Sequence, residues 1–200
     1  MNSRLLAPLL ALPLLLVATY ASAQQRRDAE NGSVAEFALS NDTLQLRYVG
    51  SGSRVGVDGS HLVGSAFLSE QRDFVLSSGL LFPADLGVRR LNISFGPQVY
   101  AALLQDENDD VMAVSVGAEV RFFLDPRRGL AVSGQAYYAP DILTFGSADN
   151  LTDLSARVEM NVAEQLQAFV GMRWFEFDLT DGSGTRTLQE EAFVGVGYRF

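Results

Sequence analysis

The chain has 200 residues, with 15 basic against 24 acidic side chains, a formal net charge of −9 and no cysteine. Every basic residue is arginine. So acidic a chain lacks the basic patches that hold phosphates, which excludes nucleic acid as a partner. The missing cysteine fits an oxidising periplasmic route without requiring one.

Arg4 precedes the apolar run Leu5 to Ala18, and the small residues Ala21-Ser22-Ala23 follow it. This pattern predicts a secretory signal over 1–23, with the mature chain starting at Gln24. The run is short and carries Pro8 and Pro13, which argues against a transmembrane helix. No cysteine follows for lipid attachment. Residues 24–200 are the size of one domain, and their net charge is near −10 because Arg4 leaves with the signal. No later stretch reaches the ~20 continuous apolar residues of a membrane helix, so a membrane protein with this sequence must span by strands. Residues 24–33 show no periodicity and are expected to form a flexible leader.

From residue 34 onward, apolar residues recur with period two. Candidate strands are 34–40, 42–49, 53–69, 73–82, 91–104, 110–124, 129–140, 151–162, 165–180 and 186–200. In 110–124, Met112, Val114, Val116, Val120 and Phe122 share one face, while Ser115, Gly117, Glu119 and Arg121 share the other. In 91–104, Leu91, Ile93, Phe95, Val99 and Leu103 oppose Asn92, Ser94, Gln98 and Tyr100. In 151–162, Leu154, Val158 and Met160 oppose Ser155, Arg157 and Glu159. The expected fold is all-β, an antiparallel transmembrane β-barrel over 34–200. The count gives ten strands, or eight if 34–40 is not a barrel strand and one later division is wrong; both numbers are even, as single-chain bacterial barrels require.

The last strand carries Val194, Val196, Tyr198 and Phe200 on one face. A soluble protein would rarely end on such a strand, because its edge invites pairing with other chains, whereas a closed barrel in lipid has no edge. A final strand ending in Phe looks like the insertion signal read by the barrel-assembly machinery of bacterial outer membranes. With Phe200 at the periplasmic end, the turns at 125–129 and 163–164 fall inside and are short. The loops 105–110, 140–150 and 181–186 then fall outside, and most are longer. The segment 82–90 breaks the habit as a longish inner connection.

Three stretches carry a resemblance: the run from Tyr137 to Gly146 (YYAPDILTFG), the run from Thr43 to Tyr48 (TLQLRY), and Asp181-Gly182 with Arg186-Thr187-Leu188. Together they resemble the YfaZ family of proteobacterial proteins, which are regarded as outer-membrane proteins. The likeness covers about Val34 to Phe200. It implies a barrel and an outer-membrane location in a Gram-negative bacterium. It implies no substrate and no catalytic residue.

The lumen-side parity carries Arg47, Glu119, Arg121, Arg157, Glu159, Glu191 and Arg199. Isolated buried ions are costly, so these charges are expected to pair, either as a packed ionic core or as the lining of a narrow charged pore. The outer loop Asp106-Glu107-Asn108-Asp109-Asp110 lacks calcium-loop spacing and reads as a solvated acidic loop, with weak divalent bridging to lipopolysaccharide phosphates as the alternative. His61 is the only histidine. Its neighbour Ser60 points to the opposite strand face, so His61 reads as an incidental polar group. Trp174, Tyr138 and Tyr198 read as interface aromatics, with sugar stacking by Trp174 as the alternative. The loop residues Asp141, Ile142, Leu143 and Phe145 are the best candidate surface, because exposed apolar side chains on a loop should be covered by the barrel mouth or by a partner.

No phosphate loop, dinucleotide fingerprint, zinc spacing or nucleophile elbow occurs, and no cofactor or metal site is expected. The expected protein is a monomeric barrel that is not an enzyme, with a structural or interaction role displayed through its outer loops. Its expected partners are outer-membrane lipids, lipopolysaccharide and the assembly machinery. A narrow solute channel is the first alternative and an outer-membrane hydrolase the second.

Overall fold

A computed structural model describes residues 32–104, 110–180 and 184–200. The expected signal peptide, all but the last two residues of the leader, and Asp106 to Asp109 of the acidic loop lie outside the described residues. Among the described residues, the elements are β1 (Val34–Leu39), β2 (Thr43–Ser51), β3 (His61–Ser69), β4 (Phe74–Ala84), β5 (Leu91–Leu103), β6 (Asp110–Asp125), β7 (Leu130–Ala139), β8 (Thr144–Gly146), β9 (Ala148–Asn161), β10 (Leu166–Leu179) and β11 (Gly184–Arg199), with two single 3-10 turns.

Each long strand pairs antiparallel with its neighbours, and β1 closes on β11 from Val34↔Arg199 to Leu39↔Val194. Ser33 and Phe200 exchange two backbone hydrogen bonds of 2.9 Å beyond that ladder. The result is a closed barrel of ten long strands. The final strand therefore has no open edge, which removes the template for pairing with other chains. The three-residue β8 is extra: it pairs with Val111–Ala113 of β6, above the point where β7 leaves that strand.

The alternation read from sequence sets the two faces. Phe95, Val99, Leu103, Met112, Val116, Val120, Phe122, Val158, Met160, Val194, Val196 and Tyr198 are large, apolar and exposed. A soluble monomer rarely exposes a continuous patch of this kind, whereas a bilayer needs it. Tyr198 and Phe200 stack at one end, with centroids 6.3 Å apart. Trp174 and Tyr138 lie outward toward the other end. Tyr198 pairs with Leu166, and Trp174 lies further along the same strand β10. At ~3.3 Å per residue and a ~40° tilt, that separation spans roughly 20 Å of barrel height, close to the apolar band of membrane barrels.

Two expectations change. The strand expected over 53–69 begins only at His61. Gly52–Val55 instead form a 3-10 turn, and Gly56 (φ 80) and Gly59 (φ 74) take left-handed conformations that end strand geometry before Ser60. The connections also sort less cleanly by length than expected. The 52–60 link at the Phe200 end is long, and the 40–42 turn at the far end is short. At the far end, β9 begins at Ala148 and β11 at Gly184, so strand replaces part of each expected outer loop.

Candidate functional site

The interior divides into two halves along the barrel axis. Toward the far end, inward residues of eight strands, β3 to β7 and β9 to β11, form one apolar cluster that includes Phe67, Val75, Tyr100, Val111, Leu151, Phe175, Phe177 and Leu188. Phe175 meets Phe67 edge to face, with centroids 5.6 Å apart and planes at 84°, and lies 5.8 Å from Tyr100. A bulge opposite Phe175/Glu176 turns both Leu188 and Gln189 inward, thickening this layer. Phe67, Tyr100, Leu151, Phe175 and Phe177 are each at most 2% exposed. These side chains are packed almost wholly out of contact with solvent.

A buried polar group sits at the base of that layer. Arg173 donates from Nε and Nη2 to the two oxygens of Asp153, both at 2.8 Å. Tyr100 Oη donates to Asp153 at 2.9 Å. The Arg173 guanidinium stacks on Phe175 at 4.5 Å and Phe67 at 5.3 Å. Charge, hydrogen bonds and ring faces together compensate the desolvation of this pair.

Closer to Phe200 lies an ionic network. Arg157 donates to both oxygens of Glu36, at 2.8 and 2.9 Å, and approaches Glu159 at 3.1 Å. Arg121 pairs with the other oxygen of Glu159. Arg47 bridges Glu119 and, at 3.4 Å, Glu36. Tyr137 Oη donates to Glu119 at 3.2 Å. Five of the seven sequence candidates, Arg47, Glu119, Arg121, Arg157 and Glu159, thus join one chain of charges linked through Glu36. Glu191 does not belong to it: at the far end it accepts from Ser40 Oγ and, at 3.3 Å, from the Asp42 backbone N–H. Arg199 stands apart at the Phe200 mouth, exposed.

Sequence reasoning missed Glu36, Asp153 and Arg173 as lumen charges. Parity could have found them, since each neighbours an outward residue: Phe37, Leu154 and Trp174. The pair Arg186–Asp73, at 3.0 Å between a strand end and a turn, carries no parity signal.

A cavity of about 220 Å³ opens beside the network in the Phe200 half and is lined by Glu36, Arg47, Asn92, Ser94, Glu119, Arg121, Gln135, Arg157, Gln167, Arg173 and Arg199 among others. His61 is exposed at this same end, lining a groove beneath the 85–90 connection. The Ser60 hydroxyl is turned to the Val57 carbonyl at 2.8 Å, and among the described residues no side-chain hydrogen bond joins His61 to a serine or carboxylate.

At the far end, Asp141–Leu143 form a 3-10 turn, held where Thr144 Oγ1 donates to the Pro140 carbonyl at 3.0 Å. Ile142 is 82% exposed, Asp141 and Phe145 are exposed, and Leu143 is half-buried. Phe145 is in register with outward-facing Met112, so β8 continues the wall and its apolar face.

Sealed strands, an outward apolar belt and an inward ionic core define a transmembrane-type β-barrel. The family described as YfaZ precursor matches residues 11–200, and the chain belongs to that family. No curated protein matches the chain. Among solved structures, it is similar to the KdgM porin in complex with disordered oligogalacturonate, at 10% identity and a TM-score of 0.44, over 84% of this chain and 99% of that one. It is similar to the KdgM porin alone at 9% identity and 0.45, over 84% and 99%. The NanC porin matches at 7% and 0.40, over 85% and 98%.

Proposed function

We propose that this protein is a small monomeric outer-membrane barrel with a structural or interaction role, displayed through its far-end loops, and that it does not pass solutes. The observation that carries the reading is the aromatic and aliphatic layer of Phe67, Tyr100, Leu151, Phe175 and Phe177, which packs into the far half of the lumen. Outer-membrane location in a Gram-negative bacterium, after secretion through the inner membrane, is supported by the lipid-compatible belt and by the closing strand that ends on Phe200. The partners that fit are outer-membrane lipids and lipopolysaccharide along the belt, and the barrel-assembly machinery at that last strand. The exposed Ile142 and Phe145 make the 140–147 loop the first surface to examine.

Conductance of the refolded protein in planar bilayers tests this. The wild-type chain is expected to give no steady conducting level, and removal of residues 140–147 to leave it silent. A stable open level in the wild type overturns the reading in favour of a narrow channel. The polar cavity in the Phe200 half favours that second reading, which requires the apolar layer to move aside. A hydrolase is the least supported reading, because among the described residues His61 makes no side-chain hydrogen bond to a serine or carboxylate. Lipid or peptide hydrolysis lost in His61→Ala would revive it.

A further inference from the structure

We propose that the cavity in the Phe200 half of the lumen is a binding site for a small oxyanion, a carboxylate or a phosphate. Five arginines and three glutamates line it. Arg173 is taken by Asp153 outside the lining, and Arg47, Arg121 and Arg157 are matched by Glu36, Glu119 and Glu159. Both oxygens of Glu159 already face arginines, so the wall has no carboxylate to spare. Arg199 is the surplus cation, and among the described residues it enters no ion pair. Arg121, held chiefly by Glu159, also feels the like charges of Arg157 and Arg199 across the cavity. An anion placed there relieves that repulsion.

A second observation points the same way. Gln167 lines the cavity, is buried at 6% exposure, and its Nε2 donor has no hydrogen-bond partner. A buried donor without an acceptor is costly, so an acceptor-rich guest is favoured. Asn92 lies on the cavity wall beside Arg121 in the ladder and offers a further amide. The volume is below the roughly 300–1,000 Å³ of sites for drug-sized ligands, which restricts the guest to a compact molecule. The site does not depend on whether the far half ever opens, so binding and conductance are separate questions.

Calorimetric titration of the refolded full chain in zwitterionic micelles tests it, with inorganic phosphate, citrate and, as an uncharged control, glucose. Phosphate or citrate is expected to bind saturably and glucose not at all; which of the two binds more tightly separates phosphate from carboxylate preference. Gln167→Met and Arg199→Gln are each expected to weaken binding about tenfold, the worth of one charge-assisted hydrogen bond. The double change Arg89→Gln/Arg90→Gln, outside the cavity, is expected to leave it unchanged. Heat-modifiable gel migration confirms that each variant is folded, and Arg199 is exposed, so its variant tests the site even if Gln167→Met fails to fold. No heat with either anion overturns the proposal and leaves the cavity to water. So does binding undiminished in the folded variants.

Discussion

Arg157 on β9 grips Glu36 on β1 with two parallel hydrogen bonds of 2.8 and 2.9 Å, although β10 and β11 separate those strands in the sheet. The pair therefore crosses the lumen and ties the first strand of the barrel to its last third. A buried carboxylate left without its cation costs about 3–5 kcal/mol. Arg157→Ala leaves Glu36 only the longer contact with Arg47 at 3.4 Å and is expected to lose up to that much in denaturant unfolding from lipid or detergent. Replacing both partners with leucine is expected to cost much less, because no uncompensated charge then remains. Equal losses in the single and double variants would mean that packing, not charge, carries the contact.

The apolar layer gives a second expectation. Phe175 touches Phe67, Tyr100 and Phe177 at centroid distances of 5.6, 5.8 and 5.6 Å, so its removal leaves a void bounded by rings that cannot easily collapse. Phe175→Ala is expected to destabilise by about 3–5 kcal/mol, measured by the same unfolding assay. The void also borders the Arg173–Asp153 pair, so the change is expected to be non-additive with Asp153→Asn. Additive losses would show that layer and ion pair are independent.

How much of this was legible in the sequence depends on which face is considered. The outward face was plain, because Met112, Val116, Val120 and Phe122 repeat at period two with polar residues between them. That repeat placed Glu119, Arg121, Arg157 and Glu159 inside. The apolar layer was harder to read. In the far half of β10 the inward parity is aromatic (Phe175, Phe177) while the outward parity carries Glu176 and Asp178, so the rule of apolar-out and polar-in reads reversed there. Parity also fixes a side but not a height. Glu191 and Arg199 share a face with the network yet sit at opposite mouths, which only the strand register decides. Gly56 and Gly59 ended a strand that the apolar pattern alone extended back to residue 53.

Gly195 is the contact point between the closing strand and the lumen. A side-chain carbon there would lie 2.3 Å from the Phe169 ring and 2.5 Å from the Phe37 carbonyl oxygen. Phe169 in turn packs on Phe193 and carries the Arg157 guanidinium 4.6 Å above its ring. Gly195→Ala is expected to displace Phe169, disturb Arg157 and cost about 1–3 kcal/mol. Gly56→Ala meets no atom within 4 Å, so its cost comes only from left-handed backbone and is expected to be smaller. Unfolding midpoints of the two variants, compared in one detergent, check the order.

Trp174 is the only tryptophan in the chain and reports directly on the outer face. It points outward at 39% exposure on β10, opposite Leu154 in the ladder, in the ring of aromatics away from Phe200. In vesicles, its emission is expected to be blue-shifted and quenched by brominated lipid. Bromine near the headgroup end of the acyl chain should quench more than bromine near the bilayer centre, because an indole settles where its ring is apolar and its N–H is wet. Trp174→Phe, with Tyr138→Trp as replacement reporter, is expected to give the same depth, since Tyr138 lies outward near the same end. Quenching by aqueous iodide instead of lipid bromine would place this face in water and contradict the membrane orientation of the belt.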